Sequence, residues 1–331
     1  MGNIYVKNYK SILSLEDTEL AIKFVKDTFE ERLSYYLDLT RVSAPLFVDP
    51  LTGLNDNLNG YEKAVSFNVN QTNTHLEIVQ SLAKWKRNAL NKYGFKGIYT
   101  DMNAIRPFEE LDNIHSLYVD QWDWEKVIIK EERTIDYLKK TVKKIYQALI
   151  DTSNKLGKKY PNLIHILPED ITFISSYELE ELYPNLSRKE RENEIAKKYG
   201  AVFLMNIGDD LKDGKPHDGR AADYDDWSLN GDILLWYEPL GIAYEISSMG
   251  IRVDSNSLKY QLKKKNEEFK LDYQYHQDII NNRLPLTIGG GIGQSRMCLF
   301  MLNKVHIGEV QASYWPEDDI EEFKKLNIFL L

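Results

Sequence analysis

The chain has little with which to staple or anchor itself. A single cysteine, Cys298, in 331 residues excludes an intrachain disulfide and any thiolate zinc site. Its apolar surroundings read as those of a small buried side chain. No stretch approaches the roughly 20 apolar residues of a membrane span, and Met1 to Leu20 lacks an apolar signal core. The expectation is therefore a cytoplasmic protein with no membrane partner. Excess positive charge is also missing. A formal net charge of -9 argues against a phosphate backbone as main partner, since such proteins carry a basic face that releases counterions. ATP remains possible, because a few local arginines and a metal ion decide that binding. The six histidines have no metal-ligand spacing, and Lys263 to Lys265 read as a solvated helix face.

Internal repeats, low-complexity tracts and Pro/Gly/Ser linkers are absent too, so one domain over 1–331 is expected. What is present reads as alternating helices and strands. Ser14 followed by Ala21, Ile22, Val25, Phe29, Leu33 and Tyr36 predicts a helix over 14–38. Short extended pieces follow at 41–48, 64–69 and 75–79, with a polar loop from Thr52 to Gly60. Ser81 caps a predicted helix that Gly94 stops. Strands are expected at 97–106 and 115–128, a long helix from Thr134, and a capping box at Ser187–Glu190. Further strands are expected at 201–206, 232–237 and 243–248. The last segment reads as strand 284–288, a glycine turn 289–293 and a helix 294–302. Strand pairs on short loops with helices between them imply an α+β fold, a mostly antiparallel sheet flanked by helices.

Three groups of residues carry chemistry. Thr287-Ile-Gly-Gly-Gly-Ile-Gly-Gln-Ser-Arg296 is not a P-loop and makes a poor dinucleotide fingerprint so late in the chain. A glycine turn is more often a tight connection than a ligand site, yet Arg296 one turn into the helix could reach a phosphate. In the 115–128 strand, Val119, Gln121 and Asp123 share one face and Asp120, Trp122 and Trp124 the other; exposure is the favoured reading of Gln121 and Asp123. Asp232 and Glu245 lie in apolar strands, where a carboxylate must be paired or hold a metal. An Mg²⁺ site and a salt bridge to Arg252 or Arg296 are comparable readings.

Arg106 with the following loop and strand resembles motif 2 of class II aminoacyl-tRNA synthetases. Gly291-Ile-Gly293-Gln-Ser-Arg296 resembles motif 3, and the helix leading to Ala44-Pro-Leu-Phe47 resembles the dimer-forming motif 1. More specifically, Gln80–Arg87, His115–Glu125, Asp223–Trp227, Glu245–Asp254 and Thr287–Arg296 are similar, almost word for word, to the ammonia-dependent asparagine synthetase family. The resemblance runs from about residue 10 to the end.

That resemblance implies a class II synthetase catalytic core, a homodimer, and a ligase that joins L-aspartate and ammonia at the expense of ATP, releasing AMP and pyrophosphate. It implies Arg106 at the α-phosphate and Arg296 at the γ-phosphate, with His115, Gly291 and Gly293 also at the nucleotide. Asp232 and Glu245 are implied to hold Mg²⁺. Lys86 and Arg252 are implied to take one aspartate carboxylate, Ser81 and Asp123 the amino group, with Ser247 and Ser248 also on the substrate. Asp56 is implied to take a proton from ammonium, and Gln121 to orient the acyl-phosphate. Asp223, Asp225 or Asp226 should face the site, without the sequence choosing among them. The alternative is a tRNA-synthetase-like paralogue lacking an anticodon-binding domain; the negative charge disfavours it. A non-catalytic amino-acid sensor is disfavoured because Arg106, Arg296, Asp232 and Glu245 are all present.

Overall fold

A computed structural model describes residues 2–56, 63–163 and 167–331. Part of the expected polar loop, 57–60, and His165 lie outside the described residues. Helix α1 (Leu15–Leu37) begins where expected: the Ser14 side chain accepts the Asp17 amide. Its buried stripe is Ala21, Val25, Phe29, Leu33 and Leu37, an i, i+4 series that presents one apolar face. Two short strands, β1 (Thr40–Arg41) and β2 (Phe47–Val48), precede β3 (Ser66–Asn68) and β4 (His75–Ile78).

Helix α2 (Ala83–Tyr93) starts later than expected. Its N-cap is Leu82 and carries no side-chain cap, while Ser81 Oγ accepts only the Ala83 amide at 3.2 Å. Gly94 does end it, in the left-handed conformation that glycine adopts without strain. The hairpin β5 (Gly97–Ile105) and β6 (Tyr118–Val127) comes next, then α3 (Ile135–Lys159), capped by Thr134. Strand β7 (Thr172–Ser175) and helix α4 (Ser176–Leu182), which the sequence did not announce, share a capping box at Ser175 and Glu178. Helix α5 (Arg188–Tyr199) has the expected box at Ser187 and Glu190.

Strand β8 (Ala201–Met205) leads to the long antiparallel pair β9 (Asp225–Tyr237) and β10 (Ile242–Arg252). Helices α6 (Ser255–Lys265) and α7 (Gln274–Ile280) follow, then β11 (Thr287–Gly293), α8 (Gln294–Met301) and α9 (Glu317–Lys325). The glycine run is therefore strand, not turn. It pairs with β10 on one side and β6 on the other, so the two ladders hold its backbone extended.

Eight strands form one sheet in the order β1-β5-β6-β11-β10-β9-β8-β7, and β2-β4-β3 form a second. The large sheet is mixed. Its interior pairings are antiparallel, but the edge pairs β1–β5 and β7–β8 are parallel. α1 packs on α3 and α8, and the Trp122 and Phe29 rings stand 4.8 Å apart between centroids. Trp122 and Trp124 thus point into that apolar layer, and alternation sends Gln121, Asp123 and Glu125 to the opposite face. No helix among the described residues is long and apolar enough to cross a membrane.

Cys298 sits in α8 with no exposed surface. Burial, reinforced by Asp120, pushes its thiol up to about 12, so the reactive thiolate is scarce at neutral pH. Ellman's reagent at pH 7.5 is therefore expected to label no thiol in the native protein and one per chain in 6 M guanidinium. Rapid labelling without denaturant would show that the α1–α8 contact opens readily.

Candidate active site

The open face of the sheet carries a row of residues set by register. Asp123 on β6 lies opposite Gly291 on β11, Gly291 opposite Ser248 on β10, and Ser248 opposite Asp232 on β9. Directly opposed residues share a face, so four strands contribute to one floor. Beneath a cavity of about 380 Å³, that floor meets α2 on one side and the segment 218–225 on the other.

Two glycines make the floor possible. A Cβ on Gly289 would lie 1.9 Å from Glu125 Oε2, and one on Gly291 would lie 2.3 Å from Gln121 Oε1. The space side chains would fill is occupied by those carboxylate and amide groups. Gln121 and Asp123 accordingly line the cavity instead of facing solvent, contrary to the exposure expected of them.

At the closed end, Arg252 is 2% exposed and fully engaged. Nε and Nη2 donate to Glu125 at 3.0 and 2.7 Å, and Nη1 donates to Asp225. Burial works against the charge on Glu125, yet Arg252 holds its carboxyl below the usual range. Burial raises Asp225, and Arg252 only partly offsets this. Lys86 donates to Asp123 and to the Gly290 carbonyl at 2.9 Å; burial lowers its ammonium. Two cations, Lys86 and Arg252, thus face three carboxylates, Asp123, Glu125 and Asp225. The presumed cationic pair is present, but each member already has an acidic partner.

Toward the open end the arginines are held differently. Arg106 and Arg296 retain side-chain exposures of 24% and 23%. Arg106 reaches the Gln80 carbonyl at 3.5 Å and Glu109 at 4.0 Å. Arg296 donates to the Glu245 carbonyl at 3.2 Å and lies 3.6 Å from its carboxylate. This pairing is one of the two partners the sequence allowed for Glu245. His115 lines the same space with Nδ1 2.9 Å from Asp112. The second half of the glycine motif offers less than expected to an anion: the Ser295 amide in the first turn of α8 donates to Asp120 at 3.0 Å.

Asp232 is where the site departs from the expectation. Glu245 lines the cavity, but Asp232 lies behind Arg220, whose Nη2 donates to it. Burial, and the nearby Glu245 charge, push Asp232 up to about 7 against the pull of Arg220. Its Oδ1 is buried without a hydrogen-bond partner. No group of three or more His, Cys, Asp or Glu is arranged to hold a metal among the described residues. Two carboxylates with an unsatisfied oxygen nonetheless fit Mg²⁺, which takes one or two protein carboxylates plus substrate phosphates.

Asp56 is almost fully buried beside Gln80 and Ser81 and lines the cavity. Burial, with the Asp223 charge, raises its carboxyl to about 6 although Lys84, Lys270 and Arg106 oppose this. Ser248 lies on the floor row, whereas the Ser247 hydroxyl is bound to the Gly291 carbonyl at 3.0 Å. Of the three undecided aspartates, Asp225 faces the cavity. Asp226 is bound to Arg133 and Ser228, and Asp223 lies in a separate buried cluster. Sequence reasoning missed Arg220, Gln80 and Tyr224, which line the cavity. Arg220 sits three residues before the Asp223–Trp227 segment already singled out, in irregular chain with no periodic signal.

A family model described as aspartate-ammonia ligase matches residues 16–327. The chain is 58% identical over 325 residues to an aspartate--ammonia ligase of Bacillus cytotoxicus, covering 97% of this chain and 99% of that one. It is 57% identical to its counterpart from Bacillus thuringiensis over the same shares. This chain belongs to the aspartate-ammonia ligase family. Among solved structures, asparaginyl-tRNA synthetase from Pyrococcus horikoshii, complexed with asparaginyl-adenylate, matches with TM-score 0.67 at 15% identity, covering 91% of this chain and 70% of that one. The Entamoeba histolytica asparaginyl-tRNA synthetase matches with TM-score 0.64 at 13% identity, covering 91% and 68%. The fold is thus that of class II aminoacyl-tRNA synthetases.

In this ligase, Gly289→Ala is expected to lower the urea midpoint by the equivalent of about 1–3 kcal/mol, the scale of overpacking a filled core. The KM for aspartate should rise as Glu125 and Arg252 are displaced. A variant with native stability and native KM would show that the glycine strand is not what seats those side chains.

Proposed function

We propose that the protein makes L-asparagine from L-aspartate, ATP and ammonia, releasing AMP and pyrophosphate through a β-aspartyl-adenylate. The observation that carries this reading is the single cavity in which Arg106 and Arg296, nearly two hundred residues apart in sequence, both remain partly exposed beside the buried Asp56. Such loosely paired guanidiniums suit a polyanion, whereas the tightly paired Arg252 suits a fixed wall.

In the first half-reaction the β-carboxylate of aspartate attacks the α-phosphorus of ATP. Arg106 stabilises charge on the α-phosphate and Arg296 holds the γ-phosphate end. His115 and the backbone at Gly291 and Gly293 lie along the nucleotide. Asp232 and Glu245 would hold Mg²⁺, which supplies charge stabilisation for the departing pyrophosphate. The aspartate α-carboxylate takes Lys86 and Arg252, and its ammonium faces Asp123, Asp225 and the hydroxyls of Ser81 and Ser248. This orientation exposes the β-carboxylate to ATP; a bound-product structure with the amide against Lys86 would refute it.

Ammonium dominates over ammonia at neutral pH, so the second half-reaction needs a carboxylate that attracts the cation and takes its proton. Asp56 does this, and its raised affinity for a proton brings it closer to the operating pH than an ordinary carboxyl. Gln121 orients the acyl-phosphate for attack. The motif 1 segment and the exposed Leu46, Phe47 and Phe67 around the small sheet support a homodimer, which sedimentation equilibrium tests; a monomer at micromolar concentration would remove that part.

Purified protein given aspartate, ATP and ammonium is expected to form asparagine and AMP in equal amounts without tRNA, and far less with glutamine as donor. ADP in place of AMP would overturn the adenylate. Asp56→Asn should keep aspartate-dependent pyrophosphate exchange and lose roughly 10²–10⁴-fold in asparagine formation, the usual scale of one general base. Survival of both activities would remove Asp56 from its role.

A further inference from the structure

Behind Asp56 lies a buried charge cluster that the mechanism above does not use. Three groups from separate elements converge on one oxygen, Asp223 Oδ2. Lys84 Nζ of α2 is 3.1 Å away, His276 Nε2 of α7 is 2.9 Å away, and Lys270 Nζ, in the turn between α6 and α7, is 3.8 Å away. Asp223 and His276 have no exposed surface, Lys84 has 5% and Lys270 8%. Asp223 Oδ1 and His276 Nδ1 are buried with no hydrogen-bond partner. Burying charge this deeply is costly and does not by itself stabilise a fold.

The cluster is also mechanically joined to Asp56. Leu54 packs on the apolar group formed by Tyr275, Ile279 and Leu284, so the loop carrying Asp56 is seated on the helix carrying His276. Gln80 Nε2 holds the Asp56 carbonyl at 3.0 Å, and its amide is held by Asn55 Oδ1. This fixes the loop to the chain entering α2, which carries Lys84. Titratable and charged groups face Asp56 from every side: Lys84, Asp223, Lys270, Arg106 and the Tyr224 phenol. Glu267, 2.7 Å from Lys270, tethers that lysine from the outside.

We propose that Asp223, Lys84, Lys270 and His276 form a positioning network for Asp56, holding its carboxylate where ammonium arrives and setting the charge balance around it. The network rests on the reading of Asp56 as the ammonium base. None of its members touches substrate. Lys84 and Lys270 favour the ionised, proton-accepting form of Asp56, and Asp223 disfavours it. The balance serves two opposed needs. A base too acidic would not take the proton from ammonium, and one too basic would be protonated before ammonium arrived.

The two signs of charge give opposite expectations. Removing Asp223 lowers the Asp56 pKa, so the acid limb of the pH profile moves to lower pH. Removing either lysine raises it, and the limb moves to higher pH. Shifts of roughly one pH unit are the scale for one nearby charge. The test is kcat for asparagine formation against pH, at saturating total ammonium, for the native enzyme, Asp223→Asn, Lys270→Gln and Lys84→Gln. Circular dichroism and aspartate-dependent pyrophosphate exchange are followed alongside. His276→Gln probes placement, since it removes a bond to Asp223 without removing a lysine.

Limbs that move in opposite directions for Asp223→Asn and Lys270→Gln, with exchange retained, support the network. Unmoved limbs, or limbs that all move one way in folded variants, overturn it. If Asp223→Asn does not fold, the two lysine variants must still shift the limb upward, and an unchanged limb overturns the network. The residual activity of Asp56→Asn separates the two readings. An acid limb surviving in that variant defeats the Asp56 assignment and the network with it. Loss of the limb there, with none of the other variants moving it, defeats the network alone.

Discussion

Arg252 between Glu125 and Asp225 is the interaction on which the site depends, because it decides what the floor of the cavity can be. A guanidinium and two carboxylates taken out of water are stable only if almost every donor and acceptor is matched. The matching here is nearly complete: two nitrogens on Glu125, the third on Asp225. The bulk of these groups requires the neighbouring strand to have no side chains. Gly289 meets that need, as Gly291 does for Gln121, and glycine extended in the middle of a sheet is otherwise unfavourable. A destabilising residue choice in β11 and a costly ion array above it are two sides of one constraint. The apolar layer beneath, with Trp122, Trp124 and Phe29, supplies the burial that offsets both.

From that fixed wall the cavity grades into groups that are held less tightly. Arg252 has all three nitrogens on carboxylates, Lys86 is shared between Asp123 and a carbonyl, and Arg106 and Arg296 have only long or backbone contacts. The gradient matches the ligands proposed for each end. An amino acid is recognised by fixed groups whose geometry discriminates, while a triphosphate must be gripped on arrival and released as two fragments. Cations already locked into short ion pairs could not do the second job without breaking a buried pair. Tight pairing at one end and loose pairing at the other would therefore follow from the one reaction proposed, not from two independent designs.

Much of this was legible in the sequence, and the parts that were not have physical reasons. The helices at Leu15–Leu37 and Ile135–Lys159 announced themselves through capping residues and apolar spacing, both local signals. The convergence of Asp56, Lys86, Arg106, Gln121 and Arg296 followed from the resemblance alone, since no local signal joins residues so far apart. Two readings failed where tertiary context overrode local chemistry. Four glycines look like a turn in isolation, and become a strand only because β6 and β10 pair with both edges. Gln121 and Asp123 alternate as a solvent-facing pair would; what covers them, α2 and the 218–225 segment, is distant in sequence. Arg220, which pairs with Asp232, went unread because its segment has no periodicity.

The position of Asp232 also bears on how the nucleotide end is organised. Its carboxylate is raised by burial and by Glu245, and lowered by Arg220; a cation that neutralised Glu245 would relieve the second of these pressures and give the unsatisfied Oδ1 a partner. Arg220 meanwhile touches both Asp232 and Asp218, so it stands between the strand row and the start of an irregular segment. Under the proposed reaction, in which the metal would arrive with the triphosphate, Arg220 would hold the second carboxylate in the meantime. Exchange of Arg220 for a cation would then be coupled to arrival of the phosphates that would supply the remaining ligands. Two carboxylates, rather than the three or four of a resident metal centre, would then be enough, because the substrate would bring the rest of the coordination sphere.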